Sequence, residues 1–149
     1  MPTLEYFVVC ESVSVDRETN RISLFNVVED LRPVRNGETG HPVHQFVAVS
    51  AWNREPGDEG KDFQAIVRIQ PPDDQSKDFS INFQMERPRQ RLILRLLGVA
   101  AGRPGNLRFE LLLNSQHFAS HTVTIHPPLA ASDVADSGGN GEADSKPAG

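Results

Sequence analysis

Phe63, Ala65, Val67 and Ile69 recur at every second position of FQAIVRI and fall on one face of an extended strand. The run FSINFQM repeats the pattern with Phe79, Ile81, Phe83 and Met85, while Ser80, Asn82 and Gln84 take the other face. LRFELLL repeats it again, with Leu107, Phe109, Leu111 and Leu113 alternating with Arg108 and Glu110. The 3.6-residue spacing of an amphipathic helix fits none of these runs. Strands are predicted near residues 4–10, 21–29, 43–53, 62–70, 78–86, 91–98, 106–114 and 117–126. Turn chemistry separates them: Asp16 to Asn20, a loop with Gly37 and Gly40, Pro56-Gly57, Pro71 to Asp74, Pro88, Gly98 to Gly105, and Asn114-Ser115. Eight strands at this spacing with little room for helix predict an all-β chain, an antiparallel β-sandwich of immunoglobulin-like or C2-like type. The 29–42 connection is the longest and has room for a short helix or an edge strand.

The first strands depart from one-sided alternation. Phe7 and Val9 oppose Leu4, Tyr6 and Val8, and Phe25 and Val27 oppose Ile22, Leu24 and Val28, so both faces are apolar. Such strands must be covered on both sides, by the domain's own chain or by a partner. If the cover is a partner, Phe7, Val9, Phe25 and Val27 are the candidate interface. Lys61-Asp62-Phe63 recurs as Lys77-Asp78-Phe79, too short for a repeat architecture and explained by two neighbouring strands with similar starts.

The 149 residues, 38% hydrophobic, suit a single core. Residues 1–128 form the expected sandwich domain. Residues 129–149, rich in Gly, Ser, Ala and acids, lack the aromatic and β-branched residues that offset ordering entropy, and are predicted to be a disordered tail. Of the net charge of −5, the tail supplies −3 and the body −2, a balance that argues against a nucleic-acid module. The lone Cys10 excludes an intrachain disulfide. No basic leader and no apolar run of about 20 residues is present, so a cytoplasmic protein with no membrane partner is expected.

The residues able to carry chemistry are the acids of the loops, the histidines, the arginines and the cysteine. In a simple up-and-down chain the 54–61 turn lies with the 11–20 turn, and the 71–77 turn lies opposite with the 29–42 loop. That arrangement separates Asp58, Glu59 and Asp62 from Asp73 and Asp74, and leaves one end where Glu29, Asp30, His41, Asp73 and Asp74 converge. A ligand or cation site around His41, Asp73 and Asp74 is the alternative reading of function. His117 and His121 are four apart, about 13 Å on a strand, too far for one zinc ion. Arg87, Arg89, Arg91 and Arg95 share one parity and make a basic stripe, yet no aromatic residues interleave to stack on bases. Nucleotide, hydrolase and metalloprotease motifs are absent, Cys10 has no base beside it in sequence, and Trp52 reads as a core anchor. No cofactor, metal or catalytic residue is expected.

YFVVCESVSVDRETNRISLFNVVE combines a Cys10-Glu11 strand end, an Asp16 to Asn20 turn and a Ser23-Leu24-Phe25-Asn26-Val27 strand. This pattern resembles an uncharacterised bacterial family of short β-sandwich proteins, a domain of unknown function. The resemblance implies fold and bacterial origin and carries over no catalytic residue. The residues also have a physical reading: Asp16 caps a turn through its side chain, Asn20 accepts left-handed geometry, and Asn26 is expected to bond the backbone of an adjacent strand. Together these features predict a non-enzymatic module that acts through a protein partner or self-association.

Overall fold

The structure is a computed structural model that describes residues 1–32, 43–72, 75–101 and 103–127. It is all-β, and no helix occurs among those residues. Nine strands follow in order: β1 (Thr3–Val15), β2 (Ile22–Val27), β3 (Asp30–Leu31), β4 (Val43–Asn53), β5 (Asp62–Gln70), β6 (Lys77–Gln84), β7 (Arg89–Ala100), β8 (Gly105–Leu113) and β9 (Gln116–Ile125). They form a four-stranded sheet, β2-β1-β4-β7, packed on a five-stranded sheet, β3-β9-β8-β5-β6. Every pairing is antiparallel except β3 with β9.

The alternating runs become the core of the second sheet. Phe63, Ala65, Val67 and Ile69 of β5 and Leu107, Phe109, Leu111 and Leu113 of β8 are all buried, and their opposite-parity neighbours meet solvent to varying degrees. Against them the first sheet turns Val9, Phe46, Ala48, Trp52, Leu92 and Leu96. Phe46 meets Phe109 edge to face at 5.4 Å, and Trp52 meets Phe118 likewise at 5.0 Å, so an aromatic pair joins the two sheets at each of two levels. Trp52 is the expected anchor, fully buried, its indole N–H donating to the Ser50 hydroxyl at 2.9 Å.

The eight expected strands are present with ends shifted by a few residues, the exception being β1, which runs five residues past Cys10. The ninth, β3, is the edge strand for which the 29–42 connection has room. Its two residues pair with Thr124 and Ile125 and carry the chain from the first sheet to the second. The expected tail, 129–149, lies outside the described residues, as do His41, Asp73 and Asp74.

Candidate interaction surface

β1 has two halves with different partners. From Thr3 to Cys10 it pairs with β4, ending at Cys10 opposite Val47. From Cys10 to Val15 it pairs with β2, through Cys10–Val27, Ser12–Phe25, Val13–Leu24, Ser14–Ser23 and Val15–Ile22. Residues beyond Cys10 therefore form a two-stranded ribbon that leaves the body of the sheet.

The ribbon folds back over the sheet's outer face. Ile22 pairs with Val15, and were β1 straight the pair would lie about 17 Å along the strand from Cys10. Instead Val13, Ile22 and Leu24 pack on a second apolar cluster made by Cys10, Val47 and Val49, joined by Tyr6 and Ile93. At the ribbon's tip the Asn20 carbonyl accepts a 2.9 Å hydrogen bond from the Arg91 guanidinium. Arg91 pairs with Ala51, two residues from the end of β4, so the tip has travelled back along the sheet. This brings the Asp16–Arg21 turn towards the 54–61 end as expected, though by folding back rather than by simple alternation.

The bend has identifiable causes. Cys10 and Val13 are of opposite parity yet join the same cluster, so the chain reverses its faces between them. Opposite this point Asn26 takes a left-handed conformation, φ 55°, and its side-chain amide donates to the Glu11 carboxylate at 2.9 Å where a Glu11–Asn26 rung would lie. Asn26 thus bonds a side chain and not the backbone of a neighbour, a correction to the sequence reading. The register is the same on either side of it, Cys10–Val27 and Ser12–Phe25. The turn is built as expected: the Asp16 carboxylate accepts from the Glu18 and Thr19 backbone N–H groups at 2.8 and 2.9 Å, and Asn20 is left-handed at φ 57°. Those N–H groups hold the Asp16 carboxyl below its usual range, that of Thr19 contributing most. Cys10-Glu11, Asp16 to Asn20 and Ser23 to Val27 are therefore the residues that bend the ribbon, cap it and supply its second strand.

The ribbon answers what covers the two-sided strands, and it divides the four candidate interface residues. Val9 is fully buried between the sheets and not free for a partner, a correction to the expectation, while Phe7 is half-buried against the same core. Phe25 and Val27 are 49% and 46% exposed. They belong to β2, an edge strand whose other side meets no strand among the described residues.

The remaining candidates have local partners. Arg89 pairs with Glu5 at 2.6 Å and Arg91 holds the ribbon tip, while Ile93, between Arg91 and Arg95, joins the ribbon cluster and breaks the basic stripe. His117 bonds the Ser120 hydroxyl at 3.0 Å. His121 donates from Nε2 to the Val28 carbonyl at 2.6 Å, and His126 meets Asp30 at 2.9 Å, so one histidine of β9 and one just beyond its end fasten the Val28–Leu31 crossover that follows the ribbon. Among the described residues no three His, Cys, Asp or Glu side chains are grouped to hold a metal. Burial pushes the Cys10 thiol up, partly offset by backbone hydrogen bonds of Ser12 and Phe25, and its sulfur lies 3.4 Å from the Ser12 carbonyl.

Sequence reasoning missed Asp58. It lies in a polar turn yet is 1% exposed, accepting from the Met1 ammonium at 2.8 Å and the Glu55 N–H at 2.9 Å. It also missed the fold-back, whose available signal was the continued alternation of Val13 and Val15 beyond Cys10. No protein-family model matches the chain, and no curated protein matches it.

Proposed function

We propose that the protein is a non-catalytic, cytoplasmic β-sandwich module that works by binding protein through the outward side of its β1–β2 ribbon. One observation carries this reading: Phe25 and Val27 stay about half exposed on an uncharged edge strand, although the same ribbon spends Val13, Ile22 and Leu24 on covering its own sheet. Exposed aromatic and branched residues on an open strand are a common anchor for protein contacts. The non-catalytic part is supported by Cys10, the chain's one thiol, which is enclosed beneath the ribbon and held in its protonated form by burial.

The test is a benzophenone amino acid at position 25, irradiated in cells of the source organism. The reading expects capture of an identified protein that also binds the purified wild type and fails to bind a Phe25→Ser/Val27→Ser variant of unchanged circular dichroism. Absence of any cross-linked protein, or binding indifferent to the double variant, overturns it.

A further inference from the structure

We propose that the β1–β2 ribbon is a hinged strap: residues 12–25 swing as one unit about the Glu11 and Asn26 positions, latched at the tip by Arg91, and uncover Cys10, Val47 and Val49 while both sheets stay folded. The device is a property of this chain alone and does not depend on the protein-contact reading.

The strap has a fixed base. Val28 is buried, its N–H donates to the Val9 carbonyl at 3.0 Å and its own carbonyl accepts from His121 at 2.6 Å, so the chain just after β2 is tied to both sheets. Beside it Cys10 pairs with Val47 on one side and Val27 on the other. The next rung is missing. The ladder passes from Cys10–Val27 to Ser12–Phe25, and between them Glu11 and Asn26 are joined by a side-chain bond, with Asn26 left-handed. A hinge needs only a few residues that absorb a change in φ and ψ, and these two positions interrupt an otherwise continuous ladder. Beyond them the rungs Ser12–Phe25, Val13–Leu24, Ser14–Ser23 and Val15–Ile22 and the Asp16-capped turn are internal to the ribbon, so lifting it breaks none of them.

The contacts that lifting does break are few. Val13, Ile22 and Leu24 are each only half-buried where they rest on the sheet, whereas Cys10, Val47 and Val49 beneath them are at most 4% exposed. To these contacts are added the 3.4 Å bond of the Cys10 thiol to the Ser12 carbonyl and, at the tip, the 2.9 Å bond of the Arg91 guanidinium to the Asn20 carbonyl. The rest of β1 keeps its ladder to β4 from Thr3 to Cys10, and the core between the sheets is untouched. Opening therefore costs far less than unfolding, which is the condition for a cooperative unit that opens below the global free energy.

The test is labelling of Cys10 by a thiol reagent on the full chain, at one pH and at urea concentrations below the unfolding midpoint. The urea dependence of an opening free energy scales with the surface that the opening exposes. The strap predicts a slope less than about half that of global unfolding, the latter followed by the fluorescence of the single Trp52. Under the same conditions the amides of β4 and β7 are expected to stay protected from hydrogen exchange. Arg91→Ala is expected to speed labelling about fivefold, the size of effect that one net hydrogen bond has on an equilibrium, with the shallow slope retained. Should Arg91→Ala fail to fold, Ile22→Ala, which trims the inner side of the ribbon, carries the same expectation. Labelling with the slope of global unfolding, loss of β4 and β7 protection in step with labelling, or a rate indifferent to both variants overturns the proposal.

Discussion

Asn26 donates its side-chain amide to the Glu11 carboxylate at 2.9 Å, opposite each other where the ladder between β1 and β2 passes from Cys10–Val27 to Ser12–Phe25. A left-handed residue and a side-chain bond thus stand at the point where the strand must change faces. Asn26→Val is expected to destabilise the protein by about 1–2 kcal/mol, because a β-branched residue is poorly tolerated at positive φ. Asn26→Gly keeps the backbone geometry and loses only an exposed hydrogen bond, so it should cost less than about 1 kcal/mol. Urea denaturation of the two variants checks the order; equal costs would mean that the left-handed conformation does not matter.

Inside the sandwich, Trp52 and Ser50 form a buried polar contact, 2.9 Å from indole nitrogen to hydroxyl, with both residues at most 3% exposed. Ser50→Ala leaves the indole N–H without this acceptor and should cost about 1–3 kcal/mol. The chain has a single tryptophan, so its fluorescence reports this site directly, and the variant's emission should shift to the blue. Unchanged stability would show that the N–H finds another acceptor.

How much of this was legible in the sequence follows the physics of each segment. The strands at 62–70, 77–84 and 105–113 could be read because each buries one face, which writes a two-residue period into the chain. β3 could not be located, since two residues hold no period and its place is fixed by pairing with β9. The ribbon was half legible. Its turn follows from Asp16 and Asn20, whose preferences are local, whereas its bend needs a left-handed Asn26 and an apolar cluster contributed by β4 and β7. The apolar residues on both faces of the first strands announced a cover, and only the tertiary structure supplies it from the strands' own continuation.

Acid should act first on carboxylates that accept hydrogen bonds in the fold. The Met1 ammonium, together with the Glu55 N–H, holds the Asp58 carboxyl below its ordinary value of 3.8, against the opposing effect of desolvation. The Arg68 guanidinium does the same for Asp78 through bonds of 2.9 and 3.1 Å. A group whose folded pKa is depressed contributes stability that is fully present above its unfolded pKa and is lost as pH falls through the folded one. The urea midpoint should therefore be steady above about pH 5 and fall below about pH 4. Asp58→Asn should lower the neutral-pH midpoint and flatten the acid slope. A variant with the wild-type slope would show that Asp58 contributes nothing to it.

Cys10 gives the most direct test of the fold-back, because the ribbon that starts at this residue also covers it. Val13, Ile22 and Leu24 pack on the cluster that holds its side chain, and the sulfur is fully buried. A thiol reagent can reach it only when the ribbon lifts or the whole domain unfolds, two routes with different free energies. Leu24→Ala removes part of the ribbon's inner contact and should speed labelling of Cys10 in native buffer by about tenfold or more, equivalent to about 1.4 kcal/mol in the opening equilibrium. Phe25→Ala changes the exposed side of the same strand and should leave the rate near that of the wild type. Leu113→Ala, in the opposite sheet, should lower global stability while affecting labelling only through complete unfolding. Measured at one pH, so that the raised thiol pKa enters every rate equally, the order Leu24→Ala fastest and Phe25→Ala unchanged identifies the ribbon as the cover. Labelling of the wild type at the rate of an unfolded cysteine would mean that the ribbon does not lie over the sheet.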